Sequence, residues 1–149
     1  SLSHFTNWTI GHVHSGALGW VALTCFATLY YLVPRLWHTK LWSQRLAETH
    51  FWLATLGLVL YVTPMWVSGV TQGLMWRAVK EDGSLAYTFI ETVAAIRIYD
   101  QIRVVGGAIF LVGALLMLWN VLMTVRQGSA AIPEPALPRG TAAVVAGGN

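Results

Sequence analysis

Two histidines one residue apart, His12 and His14, open a long apolar run from Val13 to Val33. On an α-helix, positions i and i+2 differ by about 200° of rotation, so the two imidazoles point to opposite sides. A tetrahedral zinc site wants its ligands on one face, at i and i+3 or i+4, which this spacing does not provide. Heme iron asks for only one or two axial imidazoles. The neighbouring Gly11 and Gly16 would let a flat macrocycle approach the backbone. One helix can in this way serve two separate metal centres. The competing reading makes each histidine a hydrogen-bonding packing residue, although ionisable groups at membrane depth are functional-site candidates as a class. The residues alone leave both readings open.

The elements that must position the pair are membrane helices. The chain has 149 residues, 56% hydrophobic and 10% charged, with eight tryptophans and a mean hydropathy of +0.58, whereas soluble domains carry about 25% charged residues. This is the composition of an all-α integral membrane protein in a lipid bilayer. Three stretches reach the roughly 20 residues a span needs. The first covers about residues 10–33 and is expected to stop before Pro34, since proline ends a helix at the preceding residue. The second covers about 48–75 and contains Pro64, with Thr63, Ser68, Thr71 and Gln72 on its later half. Such groups are tolerated at membrane depth where neighbouring helices satisfy them, so that half is expected to face protein. The third covers about 98–125, with Gly106, Gly107 and Gly113 allowing close helix approach. From residue 127 to 149 the chain is Ala, Pro and Gly with few large apolar residues, the composition of a disordered tail.

The net charge of +3 and pI near 9.4 come from Lys and Arg scattered through the polar connections. Basic residues flanking membrane helices are ordinary, and no nucleic-acid partner is implied. The loop from Arg35 to Arg45 holds three basic residues and two tryptophans, which reads as an inside loop with an aromatic belt and places the amino end outside. The connection from Arg77 to Arg97 also holds three basic residues, so charge alone leaves the orientation open. Cys25 is the only cysteine, so no disulfide framework or CxxC site is possible within the chain. The amino terminus lacks the basic n-region of a signal peptide, and the chain is expected to be the back part of something longer.

The run His4-Phe-Thr-Asn-Trp-Thr-Ile-Gly-His12-Val-His14-Ser-Gly-Ala-Leu-Gly-Trp20 resembles the catalytic subunit I of cbb3-type cytochrome c oxidases, the C-family of heme-copper oxygen reductases. So do Pro34-Arg-Leu-Trp, Glu48-Thr-His-Phe-Trp-Leu, Pro64-Met-Trp and Gly69-Val-Thr-Gln-Gly-Leu-Met-Trp-Arg77. The resemblance spans about residues 1–126 and corresponds to the last three helices of that subunit's transmembrane bundle.

It implies that His12 is the proximal ligand of the high-spin heme b3 facing copper, and that His14 binds the low-spin heme b. Electrons would pass between the hemes through a few bonds around Val13. His4 matches a histidine near the heme propionates and a cation or water site; its other reading is a solvated interfacial residue. Arg103 and Arg97, at the outer start of the third helix, are candidates for the anionic propionates, with Asp100 read as a pairing partner of one of them. Trp8 and Trp20 are candidates to line heme edges. Glu48 and His50 read as a helix start and interface. The family's three copper B ligands, its cross-linked tyrosine and the second axial histidine of heme b belong to earlier helices and are not in this chain.

The implied function is a share in a terminal respiratory oxidase of the bacterial inner membrane, a multi-pass protein that reduces oxygen to water with electrons from cytochrome c and pumps protons. Its partners would be the remainder of subunit I and the c-type cytochrome subunits. Two alternatives stand beside this: a nitric oxide reductase-like heme subunit, and a heme-free membrane scaffold in which His12 and His14 only pack.

Overall fold

The computed structural model describes residues 3–129 as three long helices joined by two short connections. Helix α1 runs Asn7–Leu36, α2 Gln44–Arg77 and α3 Phe89–Ser129. All three are long and apolar enough to cross a membrane. Within α1, the α-helical turns Asn7–His14 and Leu23–Leu36 flank a π-helical stretch, Ser15–Ala22. Both histidines of the pair lie on the α-helical side of that junction, so the rotation of about 200° between them holds.

Each helix starts earlier than its apolar run, because a side-chain cap sits upstream of the first large apolar residue. Thr6 caps α1, its side chain accepting from the Trp8 backbone N–H. Ser43 caps α2, with Oγ accepting from the Leu46 N–H at 3.2 Å. In α3 the cap is reciprocal: the Thr88 N–H donates to the Glu91 carboxylate at 2.7 Å, and the Glu91 N–H donates back to Thr88 Oγ1 at 3.3 Å. This is a capping box, and it sets the start of α3 nine residues before Ile98.

Pro34 does not end α1. A proline close to a helix end removes one hydrogen bond without demanding a break, and the helix continues to Leu36. What stops it is His38, at φ 48°, a left-handed conformation that turns the chain out of the helix. The α2–α3 connection closes on an isolated bridge between Val79 and Leu85, turned by Gly83 at φ 80°. The Ser84 hydroxyl and backbone N–H both donate to Asp82 at that turn and hold its carboxyl below the usual carboxylate range.

Helix α2 is the centre of the trio, with 39% of its most apolar window buried against 6% for α1. Glycines set the α2–α3 seam. A Cβ on Gly57 would lie 2.6 Å from the Phe110 backbone N, and one on Gly106 would lie 2.6 Å from the Tyr61 backbone N. Only these two facing glycines allow the backbones to come so close. Further along, Gly113 packs on Leu53 and Ala54. The buried core is small, and most large apolar side chains point outward, Trp20, Trp52 and Ile90 among them. That suits a chain whose surroundings are lipid tails or further helices.

At the end of the bundle holding the α1–α2 connection, α3 grips the start of α2. Asn120, fully buried, donates from Nδ2 to the Ser43 carbonyl at 2.8 Å and accepts from the Ser43 N–H at 3.0 Å. Thr124 Oγ1 accepts from the Trp42 N–H at 3.0 Å and donates to the Asn120 carbonyl at 2.7 Å. Replacing Asn120 by leucine keeps the volume but strands two backbone groups, each costing about 1–3 kcal/mol when buried. Asn120→Leu is therefore expected to lower the unfolding midpoint of the complex in a denaturant titration, by the equivalent of about 2 kcal/mol or more. An unchanged midpoint would show that water reaches Ser43.

The helix α3 extends to Ser129, past the expected limit at about residue 125. Gly128 is buried, where a Cβ would meet the Trp37 side chain and carbonyl at 2.6 and 2.7 Å. The remainder of the expected tail, from residue 130 on, lies outside the described residues.

Candidate heme-binding histidine pair

Helix α1 presents His12 and His14 to different surroundings. The His14 ring lies 5.2 Å from the Tyr61 ring on α2, tilted by 45°, and is half-buried. Its Nδ1 lies 2.8 Å from the Ile10 carbonyl. A carbonyl can only accept, so Nδ1 carries the proton, and in the neutral ring it is Nε2 that offers the lone pair. A backbone carbonyl on Nδ1 is the usual device that fixes the tautomer and orientation of a metal-ligating histidine.

His12 faces outward and is exposed. Among the described residues no hydrogen bond to its ring is found. Instead it lies flat against Trp8 one turn earlier, ring centroids 5.5 Å apart and planes 3° from parallel. The opposite pointing of the pair is therefore realised, one imidazole toward α2 and the other away from the trio.

The two flanking glycines divide the same way. Gly11 is buried against Trp66 and Met65, with a Cβ position 2.9 Å from Trp66 Cδ1, so it serves the α1–α2 seam and not the approach of a macrocycle, as its spacing had suggested. Gly16 has nothing within 4 Å of its Cβ position and keeps that open face.

The first turn of α1 is fixed by the later half of α2. The Asn7 N–H donates to Gln72 Oε1 at 2.7 Å, and Asn7 Nδ2 donates to Ser68 Oγ at 3.1 Å. A Cβ on Gly69 would overlap the Trp8 backbone nitrogen and lie 2.6 Å from its Cα. Ser68 and Gln72 thus meet protein as expected of that half of α2. Thr63 is exposed, and Thr71 returns its hydroxyl to its own helix at the Val67 carbonyl.

The remaining candidate residues are more scattered. Helix α3 runs antiparallel to α2, which brings Arg97 and Arg103 to the same end of the bundle as His12 and His4. Arg103 pairs with Asp100 at 3.5 Å, about 30% exposed, and Arg97 is exposed without an ion pair among the described residues. His4 is exposed, edge-on to Phe5 at 4.3 Å. Trp20 is 77% exposed and makes no ring contact among the described residues.

His50 departs most from its sequence reading. It is 3% exposed, deep between α1 and α2, with Nδ1 3.3 Å from the Tyr30 hydroxyl and Phe26 edge-on to its ring at 5.0 Å. Its Nε2 is buried without a hydrogen-bond partner, beside a cavity of about 220 Å³ lined also by Leu23, Ala27 and Phe51. The sequence signal for this burial was histidine at membrane depth, obscured because the cap at Ser43 lies further upstream than the apolar run.

The family model for cytochrome c and quinol oxidase polypeptide I matches residues 1–109. The chain belongs to the cytochrome c and quinol oxidase polypeptide I family. Among its relatives, "Cytochrome c oxidase subunit 1 homolog, bacteroid" of Bradyrhizobium diazoefficiens is 58% identical over 136 residues, 91% of this chain and 25% of the relative. "Cbb3-type cytochrome c oxidase subunit CcoN1" of Stutzerimonas stutzeri is 51% identical over 132 residues, 88% of this chain and 28% of the relative. A nitric oxide reductase polypeptide of the same organism is 26% identical over 122 residues, 79% of this chain and 25% of the relative. This member of the oxidase polypeptide I family thus spans about a quarter of the length of the curated relatives it matches. Its likeness to the cbb3-type oxidase chain is the one anticipated from its motifs, and with its three apolar helices it is a membrane protein.

Proposed function

We propose that this chain is the heme-holding C-terminal transmembrane region, residues 1–126, of the catalytic subunit of a cbb3-type terminal oxidase in the bacterial inner membrane. His14 is the axial ligand of low-spin heme b, and His12 is the proximal ligand of high-spin heme b3. The observation that carries this reading is the Nδ1–H of His14 held on the Ile10 carbonyl, with Nε2 left free, while His12 points the other way. The absence of a third ligand nearby is no obstacle, since a porphyrin supplies four equatorial nitrogens and needs one axial imidazole per side. Among the described residues no three His, Cys, Asp or Glu side chains converge on one point, and copper B is assigned to ligands outside this chain.

The hemes, when bound, supply electron transfer on the His14 side and oxygen reduction to water on the His12 side. The protein's part is to fix two imidazoles at constant separation on one rigid turn and to tune the irons through ligand orientation and burial. His4, Arg97 and Arg103 offer donors to propionates, Arg103 already steadied by Asp100. Cytochrome c delivers the electrons, the c-type cytochrome subunits and the rest of subunit I complete the complex, and turnover is coupled to proton pumping. The nitric oxide reductase alternative is disfavoured by identity, 26% against 51–58% for the oxidase relatives.

Reduced-minus-oxidised and carbon monoxide difference spectra of the isolated membrane complex test this reading. Two b-type hemes per copy are expected, of which one binds carbon monoxide. One such heme, or none, overturns the assignment and leaves the scaffold alternative.

A further inference from the structure

Tyr61 sits where the three helices meet. Its ring, on α2, lies 5.2 Å from the His14 ring of α1 and is tilted from it by 45°. The same ring is met from α3, where a Cβ on Gly107 would stand 3.3 Å from both Tyr61 Cδ2 and Cε2. The Tyr61 backbone lies in the close stretch of the α2–α3 seam, within 2.6 Å of where a Cβ on Gly106 would be. We propose that Tyr61 is a positioning residue for His14, setting the plane of its imidazole from the α2–α3 seam; this rests on the reading of His14 as the axial ligand of low-spin heme b.

One contact does not fix a ring plane. The hydrogen bond from His14 Nδ1 to the Ile10 carbonyl, at 2.8 Å, ties the imidazole to its own helix one turn earlier. It restrains the position of Nδ1, but a carbonyl accepts over a broad range of approach, and the Cβ–Cγ torsion of histidine joins an sp³ to an sp² centre and is broad as well. A ring from a second helix restrains the rotation that remains. A centroid separation of 5.2 Å falls in the range of about 4.5–7 Å over which aromatic rings attract.

Tyr61 can act in this way because it has little room to retreat. Gly57, one turn earlier on α2, faces the same stretch of α3, its Cβ position 2.6 Å from the Phe110 N and 2.9 Å from the Gly106 carbonyl oxygen. Interiors packed this closely transmit a displacement instead of absorbing it. The plane of His14 is thereby referred to α3 through a single side chain.

The test is electron paramagnetic resonance of the oxidised whole complex. The g values of a low-spin ferric heme with two axial imidazoles depend on the angle between the two ring planes, so they read the orientation of His14 as well as its presence. Tyr61→Leu is expected to shift and broaden the low-spin signal that His14→Ala removes, at unchanged heme content. Tyr61→Phe keeps the ring and is expected to keep the wild-type signal. Gly107→Ala places a methyl 3.3 Å from the Tyr61 ring; it is expected to shift the signal on its own and to add nothing in the Tyr61→Leu background, the non-additivity of residues that act through one contact. An unshifted signal in Tyr61→Leu overturns the inference. So does a shift in Tyr61→Phe equal to that in Tyr61→Leu, which would assign the effect to the hydroxyl. If Tyr61→Leu fails to assemble, Gly107→Ala decides, and an unshifted signal there overturns the inference equally. His14→Ala separates the two levels. Loss of a low-spin signal in His14→Ala, together with an unshifted signal in the Tyr61 and Gly107 variants, refutes only the role of Tyr61. Low-spin signals that all survive His14→Ala refute the ligand reading and the inference with it.

Discussion

In the assembled membrane complex, His14→Ala is expected to abolish the low-spin heme b absorbance and spare the carbon monoxide-binding heme, and His12→Ala to do the reverse. Each variant removes the one imidazole on its side of α1. Alanine has the highest helix propensity and histidine a middling one, so the helix survives either change and a lost signal reports a lost ligand. The separation of effects follows from geometry. The His14 ring meets Tyr61 on α2, whereas the His12 ring stacks on Trp8 of its own helix, so the two imidazoles have different ring partners. The effect is all-or-none for one signal of two, read from reduced-minus-oxidised and carbon monoxide difference spectra. Retention of both signals in both variants would make the pair packing residues and sink the heme-ligand reading of this chain.

Gly69→Ala is expected to disturb both hemes together, though it lies on α2 and carries no functional group. The added methyl has no space: its Cβ position overlaps the Trp8 backbone nitrogen and stands 2.6 Å from the Trp8 Cα and Cβ. Backbone cannot swing aside as a side-chain tip can, so the first turn of α1 must lift from α2. The two Asn7 hydrogen bonds to Gln72 and Ser68 would stretch with it. Overpacking of this kind costs about 1–3 kcal/mol and occasionally more. Because His12 and His14 follow within the next two turns, heme content and thermal midpoint should fall in parallel. Gly19→Ala is the control, since its nearest neighbour is a Leu58 methyl at 3.2 Å, the end of a flexible side chain. Equal behaviour of the two variants would show that α1 is not seated on Gly69.

Periodicity and composition made the architecture legible, because a bilayer leaves few alternatives to long apolar helices. The opposed histidines were legible too, since their rotation depends only on spacing. Boundaries were less so, for a specific reason: apolar runs mark where the membrane begins, while caps mark where the helix begins. Thr88-Phe-Ile-Glu91 carries a capping-box signature in plain sight, and reading it would have placed the start of α3 at Phe89. Pro34 misled because a proline's effect depends on how many residues follow it in the helix, and here His38 governs the exit. Gly11 shows the limit at the site itself. A glycine beside a candidate ligand can serve a macrocycle or a neighbouring helix, and only the position of Trp66 distinguishes them. For His50 the one sequence signal was its depth in the membrane, and the partners that bury it, Tyr30 and Phe26, arrive from a different helix.

The grip of Asn120 and Thr124 on Ser43 and Trp42 has a consequence for biogenesis. These contacts join residues 77 and 82 positions apart, so during synthesis the backbone at the start of α2 is made and delivered to the membrane well before its partners exist. Until the far end of α3 has been inserted, Ser43 must lean on interfacial water. The last helix therefore acts as the closing step of this trio's assembly, and a released chain cut between Gly113 and Asn120 would keep the glycines of its α2–α3 seam but leave its α1–α2 corner unfastened.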